Sequence, residues 1–275
     1  MLCSKPYRKG IESFPCGRCT PCLLNRQSVW ATRCHLESLL WGDSIFITLT
    51  YDDEHLPTTQ KAGRRSVQLF LKRWRKLLPQ KIRYFIAMEY GKLGRMHFHG
   101  IIFNASRFDA ESLNAAWENG FTHVGECNEK TINYVTKYIT KGDSRVEEET
   151  GRKTFALMSR NNGIGYGAIK ELARAVEVRP DCAASIAESD VPASVRVNGR
   201  KRPVGRYITR KLREQLCSTD GSEPGNARAH RLSETQSECR LLGTRQHLAL
   251  DQAKRKNSRL SADFAINLKK SKEKL

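Results

Sequence analysis

Three groups of side chains in this sequence have the types and spacing for chemistry. The first is Glu89, His97 and His99, within RYFIAMEYGKLGRMHFHGIIF. Histidines two apart on a strand leave the same face about 7 Å apart at Cα and can converge on one cation. Pairing Tyr90 with Met96 around the Gly91-Lys92-Leu93-Gly94 turn puts Glu89 directly opposite His97, with Cβ atoms about 5 Å apart. Two imidazoles and a carboxylate with open positions suit Mg2+ or Mn2+ engaging a phosphate. A strand HxH pair alone is more often structural, so the carboxylate carries the inference.

The second group is Tyr134, Lys137, Tyr138 and Lys141, in TINYVTKYITKG. The spacing i, i+3, i+4, i+7 places them on one helix face, with Ile132, Val135 and Ile139 on the apolar one. A phenol beside ammonium groups and a cation-bound phosphate is a workable nucleophile, although the same spacing in isolation is commonly packing. The third group is Cys3, Cys16, Cys19 and Cys22 around SFPCGRCTPCLL. Thiols three residues apart meet when the backbone turns tightly, which Gly17 and Pro21 favour, and four thiolates satisfy tetrahedral zinc. Cys34 and His35 are substitute ligands, and a set of reduced, partly buried thiols is the alternative.

These groups need elements to position them. The run IFITLTY over 45–51 reads as a strand, with Phe46, Thr48 and Thr50 on one face and Ile45, Ile47, Leu49 and Tyr51 on the other. A helix is expected over 23–40 after the cysteines and an amphipathic one over 67–78. On the latter, Lys72, Arg73, Arg75 and Lys76 form either a solvated face or a phosphate contact. Residues 82–103 read as a hairpin, and 131–141 as a helix capped at Asn128 or Thr131 and stopped by Gly142. Further on, 168–178 reads as a helix and 195–202 as a hairpin about Asn198-Gly199, whose Arg196, Arg200, Lys201 and Arg202 are candidate DNA contacts. Strands with helices between them indicate an α+β class. The expected organisation is a Cys-rich segment and helix over 1–40, a catalytic domain over 41–215, and a polar, basic, partly disordered tail over 216–275. RKNSR and LKKSKEKL in that tail would be nonspecific DNA anchors.

Composition narrows the partners. Of 275 residues, 48 are Lys or Arg and 29 Asp or Glu, a surplus of +19 that points to a polyanion. Residues 151–275 hold 26 basic and 13 acidic residues, against 22 and 16 in 1–150, so the second part is the more electrostatic. No apolar run approaches the ~20 residues of a membrane span, and no apolar region follows the basic N-terminus, so no membrane partner is expected. Nine cysteines without a secretion signal favour free thiols or metal in a reducing cytoplasm. The absence of a GxxxxGK[ST] loop argues against an in-chain nucleotide-driven helicase.

The order of FITLTY, HFHG and YVTKYITK resembles the three motifs of HUH rolling-circle replication initiators of the paired-tyrosine type. With PCGRCTPC, MSRNNGIG and RKRPVGRYI added, the resemblance over about residues 1–215 is to the replication initiators of gokushoviruses and other Microviridae, which are small single-stranded DNA phages. One departure is Asn162, where a proline is expected. The resemblance implies an HUH endonuclease-like antiparallel sheet with flanking helices, with the tyrosine helix packed near the HUH strand. It implies His97, His99 and Glu89 as ligands of Mg2+ or Mn2+, Tyr134 and Tyr138 as nucleophiles, and Lys137 and Lys141 as phosphate-binding or proton-transfer groups. The activity implied is nicking of the single-stranded phage origin, a 5′-phosphotyrosine link with a free 3′ hydroxyl primer, and rejoining to release circular DNA. It would act in the host bacterial cytoplasm, with helicase and polymerase supplied by the host. The competing expectation is a zinc-dependent, non-enzymatic DNA-binding or packaging protein. An HUH transposase or relaxase would call for a longer chain or a differently placed tyrosine.

Overall fold

The structure, a computed structural model, describes residues 3–10, 12–91, 94–141, 154–178, 191–197 and 199–220. In chain order its strands are β1 (Tyr7–Lys9), β2 (Glu12–Phe14), β3 (Ser44–Tyr51), β4 (Arg83–Tyr90), β5 (Met96–Phe103), β6 (Gly120–Glu126), β7 (Ala156–Met158), β8 (Ser194–Val197) and β9 (Arg200–Pro203). The helices are α1 (Thr20–Ser38), α2 (Gln60–Leu77), α3 (Ala110–Ala116), α4 (Glu129–Lys141), α5 (Ile169–Glu177) and α6 (Gly205–Asp220). The chain divides into two compact units. One comprises Gln27–Leu172 and Ser194–Lys211 and holds the main sheet; the other includes Met1–Arg26 with the β1–β2 pair.

The main sheet is wholly antiparallel, in the order β6-β3-β5-β4-β7. Alternation along β3 sorts its two faces as the sequence indicates: Ile45, Ile47, Leu49 and Tyr51 are buried, whereas Phe46, Thr48 and Thr50 look the other way. On the first face Ile47, Leu49 and Phe98 pack with Phe70 and Trp74 of α2 and with Trp117 just after α3. On the second, Phe85, Ile101 and Phe103 pack with Ala31 and Cys34 of α1 and with Ile132, Val135 and Tyr138 of α4. The same strands also carry Glu89, His97 and His99. The second face therefore changes along its length from apolar core to polar ligands. The basic face of α2 belongs to a helix on the opposite side of the sheet.

Several boundaries move from their sequence expectation. Helix α2 starts at Gln60, because Thr59 caps it by accepting from the Ala62 N–H at 3.2 Å. The basic, glycine-containing first turns look like a loop, yet Gly63 is buried and leaves room for Met96. Helix α4 starts at Glu129, and both candidate caps take part. Asn128 Oδ1 accepts from the Lys130 and Thr131 N–H groups, and Thr131 Oγ1 accepts from the Asn128 N–H at 2.8 Å. Helix α6 continues to Asp220, so the tail does not begin at 216; residues 221–275 lie outside the described ones, as do Gly142 and Asn198.

The MSRNNGIG segment is explained by buried polar pairing. Glu37 of α1 is 2% exposed and accepts from Arg83 Nε, Trp41 Nε1 and the Gly165 N–H. Arg83 also donates to the carbonyls of Asn161 and Asn162. Asn162 has φ +54°, a left-handed conformation that asparagine tolerates and proline cannot adopt. The local turn therefore differs from one built on proline.

The β8–β9 hairpin forms around Gly199, with Val197 paired to Arg200. Arg200 Nη1 and Arg202 Nη2 both reach Glu129 Oε1, at 2.9 and 2.6 Å, and so pin the hairpin to the first turn of α4. The Arg202 hydrogen bond, helped by the Arg200 charge, holds the Glu129 carboxyl below its ordinary range.

Two tests follow from this packing. A Cβ at Gly100 would lie 2.8 Å from Ile86 Cγ1 and 3.3 Å from Ile47 Cγ1. Gly100→Ala should lower unfolding stability by about 1–3 kcal/mol in denaturant titration. Because the folded Glu129 pKa is depressed, its contribution is present above the unfolded carboxyl value of about 4.5 and is lost as pH falls through the lower folded value. Wild-type stability should accordingly fall more steeply below about pH 4.5 than that of Glu129→Gln.

Candidate active site

The β4–β5 register determines which side chains meet. Tyr90 pairs with Met96, Glu89 with His97, and Ala87 with His99. Glu89, His97 and His99 thus share one face, and their ligand atoms lie within 4.8 Å of one another. Glu89 Oε2 is 3.4 Å from His97 Nε2 and 3.4 Å from His99 Nε2. The three side chains are 13%, 19% and 9% exposed, sheltered but reachable.

Both imidazoles are oriented through their other nitrogen. His97 Nδ1 lies 3.3 Å from the Arg95 carbonyl, which can only accept, so Nδ1 carries the proton and the Nε2 lone pair is free. His99 Nδ1 lies 3.1 Å from Thr48 Oγ1, and a hydroxyl that accepts there leaves the second Nε2 unprotonated. Two Nε2 lone pairs and a carboxylate oxygen converging on one point form a donor set that fits a single divalent cation.

The tyrosines of α4 close over this set. Tyr134 Oη is 3.3 Å from His99 Nε2, and the rings of Tyr134 and Tyr138 meet edge to face with centroids 5.1 Å apart. His99 stacks on Tyr138 at 5.3 Å and on Phe46 at 5.9 Å. The two phenols are not equivalent. Tyr134 is 42% exposed, whereas Tyr138 is 4% exposed and packs with Ile132 and Val135, the residues expected on the opposite, apolar face. Burial, and then Glu89, push the Tyr134 phenol above its ordinary range. Tyr138 is pushed much further by burial and by donating its proton to Glu89. Lys137 is half-buried on the same helix, and the Lys141 side chain lies outside the described residues.

The other expected site residues fall elsewhere. Arg196, Arg200 and Lys201 are exposed on the β8–β9 hairpin, where Arg196 is directly opposite Lys201; Arg202 is mostly covered by its bond to Glu129. Cys3, Cys16, Cys19 and Cys22 converge in the other unit, with their sulfurs within 4.8 Å of one another. Cys34 and His35 do not join them. Cys34 is fully buried in the second core, which raises its thiol far above the ordinary range, and burial lowers the His35 pKa.

Some members of the site are not evident as functional residues from sequence. Thr48 pairs with His99 across β3–β5, and Phe121 and His123 on β6 pair with Thr50 and Thr48. Those pairings put Phe121, 70% exposed, and the exposed His123 on the same sheet face as the ligands. Alternation on β3 already placed Thr48 on that face; the missing information was the pairing of β3 with β5 and β6.

Residues 44–143, from β3 through α4, match the model of a family of replication-associated proteins, described as ORF2 or gene 2 protein. Three phage proteins are similar over longer stretches. Replication-associated protein VP4 of Bdellovibrio phage phiMH2K is 34% identical over 164 residues, 50% of this chain and 52% of its own length. Replication-associated protein ORF2 of Spiroplasma virus 4 is 31% identical over 156 residues, 47% of this chain and 48% of its own. Replication-associated protein ORF4 of Chlamydia phage 1 is 26% identical over 180 residues, 52% of this chain and 45% of its own. The chain spans about half the length of the curated relatives it matches. No solved structure matches the chain. Glu89, His97, His99, Tyr134 and Tyr138 all fall inside the matched segment, and the chain belongs with the replication-associated proteins of the Microviridae.

Proposed function

We propose that the chain is an HUH-type nicking-joining endonuclease that starts rolling-circle replication at a single-stranded or unpaired phage origin. The observation that carries this reading is the contact of the Tyr134 phenol with His99 Nε2, which sets a nucleophile beside the metal-ligating atoms. Glu89, His97 and His99 would hold one Mg2+ or Mn2+, which when bound polarises the scissile phosphate and favours phenolate over phenol. Tyr134 Oη forms a bond to phosphorus as its proton departs. The bond from phosphorus to the 3′ oxygen breaks, and that oxygen takes up a proton to leave as a free 3′ hydroxyl for a polymerase. The phosphotyrosine keeps the bond energy, so rejoining needs no nucleotide. Tyr138, withdrawn from solvent on Glu89, is reserved for the second cut that releases a circle. Lys137 binds backbone phosphate or assists proton transfer.

Substrate contacts extend from this centre. Phe121 gives an unpaired base a stacking surface on the ligand face of the sheet. Arg196 and Lys201, like charges directly opposed on the hairpin, are relieved of mutual repulsion by a bound phosphate. Unwinding and synthesis fall to a host helicase and polymerase.

The direct test is covalent transfer of a labelled single-stranded origin oligonucleotide to the protein. His97→Ala and His99→Ala should each reduce transfer by on the order of 1,000-fold while leaving salt-sensitive DNA binding largely intact. No adduct from wild-type protein with Mg2+ or Mn2+ would sink the enzymatic reading and favour a non-enzymatic DNA-binding or packaging protein. Thr48→Val should lower activity by about 10–100-fold and be partly rescued by raised Mn2+, since it only orients His99. Tyr134→Phe should lose on the order of 100-fold or more in nicking, Tyr138→Phe should stay within about 10-fold but fail to release circles, and the double variant should form no adduct. Equal nicking by both single variants would contradict the assignment of Tyr134 as first nucleophile.

A further inference from the structure

We infer that Cys3, Cys16, Cys19 and Cys22 hold one zinc ion as a closed tetrathiolate that fastens the N-terminal segment. The site is separate from the Glu89–His97–His99 group and does not depend on the function proposed for it. The sequence problem is that Cys3 stands far from the other three, and the fold solves it. β1 pairs with β2, Tyr7 opposite Phe14 and Lys9 opposite Glu12, so the chain doubles back and sets Cys3 beside Cys16. The Cys16 N–H donates to Cys3 Sγ at 3.3 Å. Gly17 then takes φ +77°, a left-handed position that bends the loop so that the Cys19 N–H donates to Cys16 Sγ at 3.4 Å. Cys22 sits in the first turn of α1, where the helix dipole favours a thiolate.

The distances select the ligand. Zinc–sulfur bonds of about 2.3 Å make a tetrahedron with edges of about 3.8 Å. Cys3 Sγ and Cys19 Sγ are 3.7 Å apart, and all four sulfurs lie within 4.8 Å of one another. That separation is far above the ~2.05 Å of a disulfide, and all four cysteines are free. Multi-iron clusters distribute their thiolates over several irons and spread them further, so the spacing indicates a single ion. Four soft thiolates select zinc against the hard cations that suit a two-histidine, one-carboxylate set.

Burial supplies an independent argument. None of the described residues from Cys3 to Thr20 is buried, and Tyr7 and Phe14 are 65% and 40% exposed. Two three-residue strands without a core do not hold together alone, and a metal crosslink supplies what apolar burial does not.

Elemental analysis of the full chain, purified without added metal or strong chelator, should give about one zinc per chain. Zinc should persist in His97→Ala and His99→Ala and be lost in Cys16→Ser and Cys19→Ser. If the serine variants do not fold, the wild-type protein still decides. A thiol-modifying mercurial should release the zinc, and cobalt-loaded protein should show the intense visible bands of a tetrahedral thiolate site. Folded wild-type protein with clearly substoichiometric zinc, with iron in its place, or with zinc lost on the histidine rather than the cysteine substitutions would overturn the assignment.

Discussion

Everything at the candidate site rests on the register of one antiparallel strand pair. A slip of a single residue between β4 and β5 would turn the displaced strand's side chains to the other face and part Glu89 from the histidines. What prevents the slip is on the reverse side of the same strands. Ile86 and Met88 on β4 and Phe98 on β5 are buried under α2 and α3, and Gly100 leaves space for Ile86 and Ile47. The polar geometry is therefore enforced by apolar packing that it never touches. Thr48 extends the same control to a third strand, because its position opposite His99 is also a matter of register.

The imidazoles show how a site can be prepared by groups that do no chemistry. A backbone carbonyl and a threonine hydroxyl each take one ring nitrogen, leaving two lone pairs facing Glu89. The two phenols then occupy contrasting environments within one helical turn. One is half in solvent beside His99; the other is sunk in the core with its proton on Glu89. Position 138 consequently answers to two demands at once, since its ring fills the second core while its hydroxyl serves the ligand set.

Much of this was legible in the sequence because it is local. The strand alternation of IFITLTY, the hairpin, and the opposition of Glu89 to His97 depend on period-two geometry and a short turn. The burial of Tyr138 was not legible. A helical wheel groups it with Tyr134 and the lysines, and only the way α4 lies on the sheet turns it toward Val135 and Ile132. The early start of α2 was hidden because a glycine among basic residues signals a loop until Met96 is known to pack there. The roles of Thr48 and Phe121 needed the strand order β6-β3-β5, which no periodicity reveals. The convergence of Cys3 on the other cysteines likewise depended on a hairpin of three-residue strands too short to read.

The distances along the chain have a consequence for folding order. The ligands occupy neighbouring strands of one tight hairpin, which closes on the microsecond scale with little loss of chain entropy. Tyr134 is 35 residues from His99 and reaches it only after β6 and α4 have formed. A longer loop adds only slowly to the closure cost, but it has to wait for the surfaces it joins. The metal-ligating half of the centre is thus assembled by local contacts and the nucleophilic half by distant ones. Mutations that slow the docking of α4 would leave a chain with its ligand trio already in register and nothing yet to attack with.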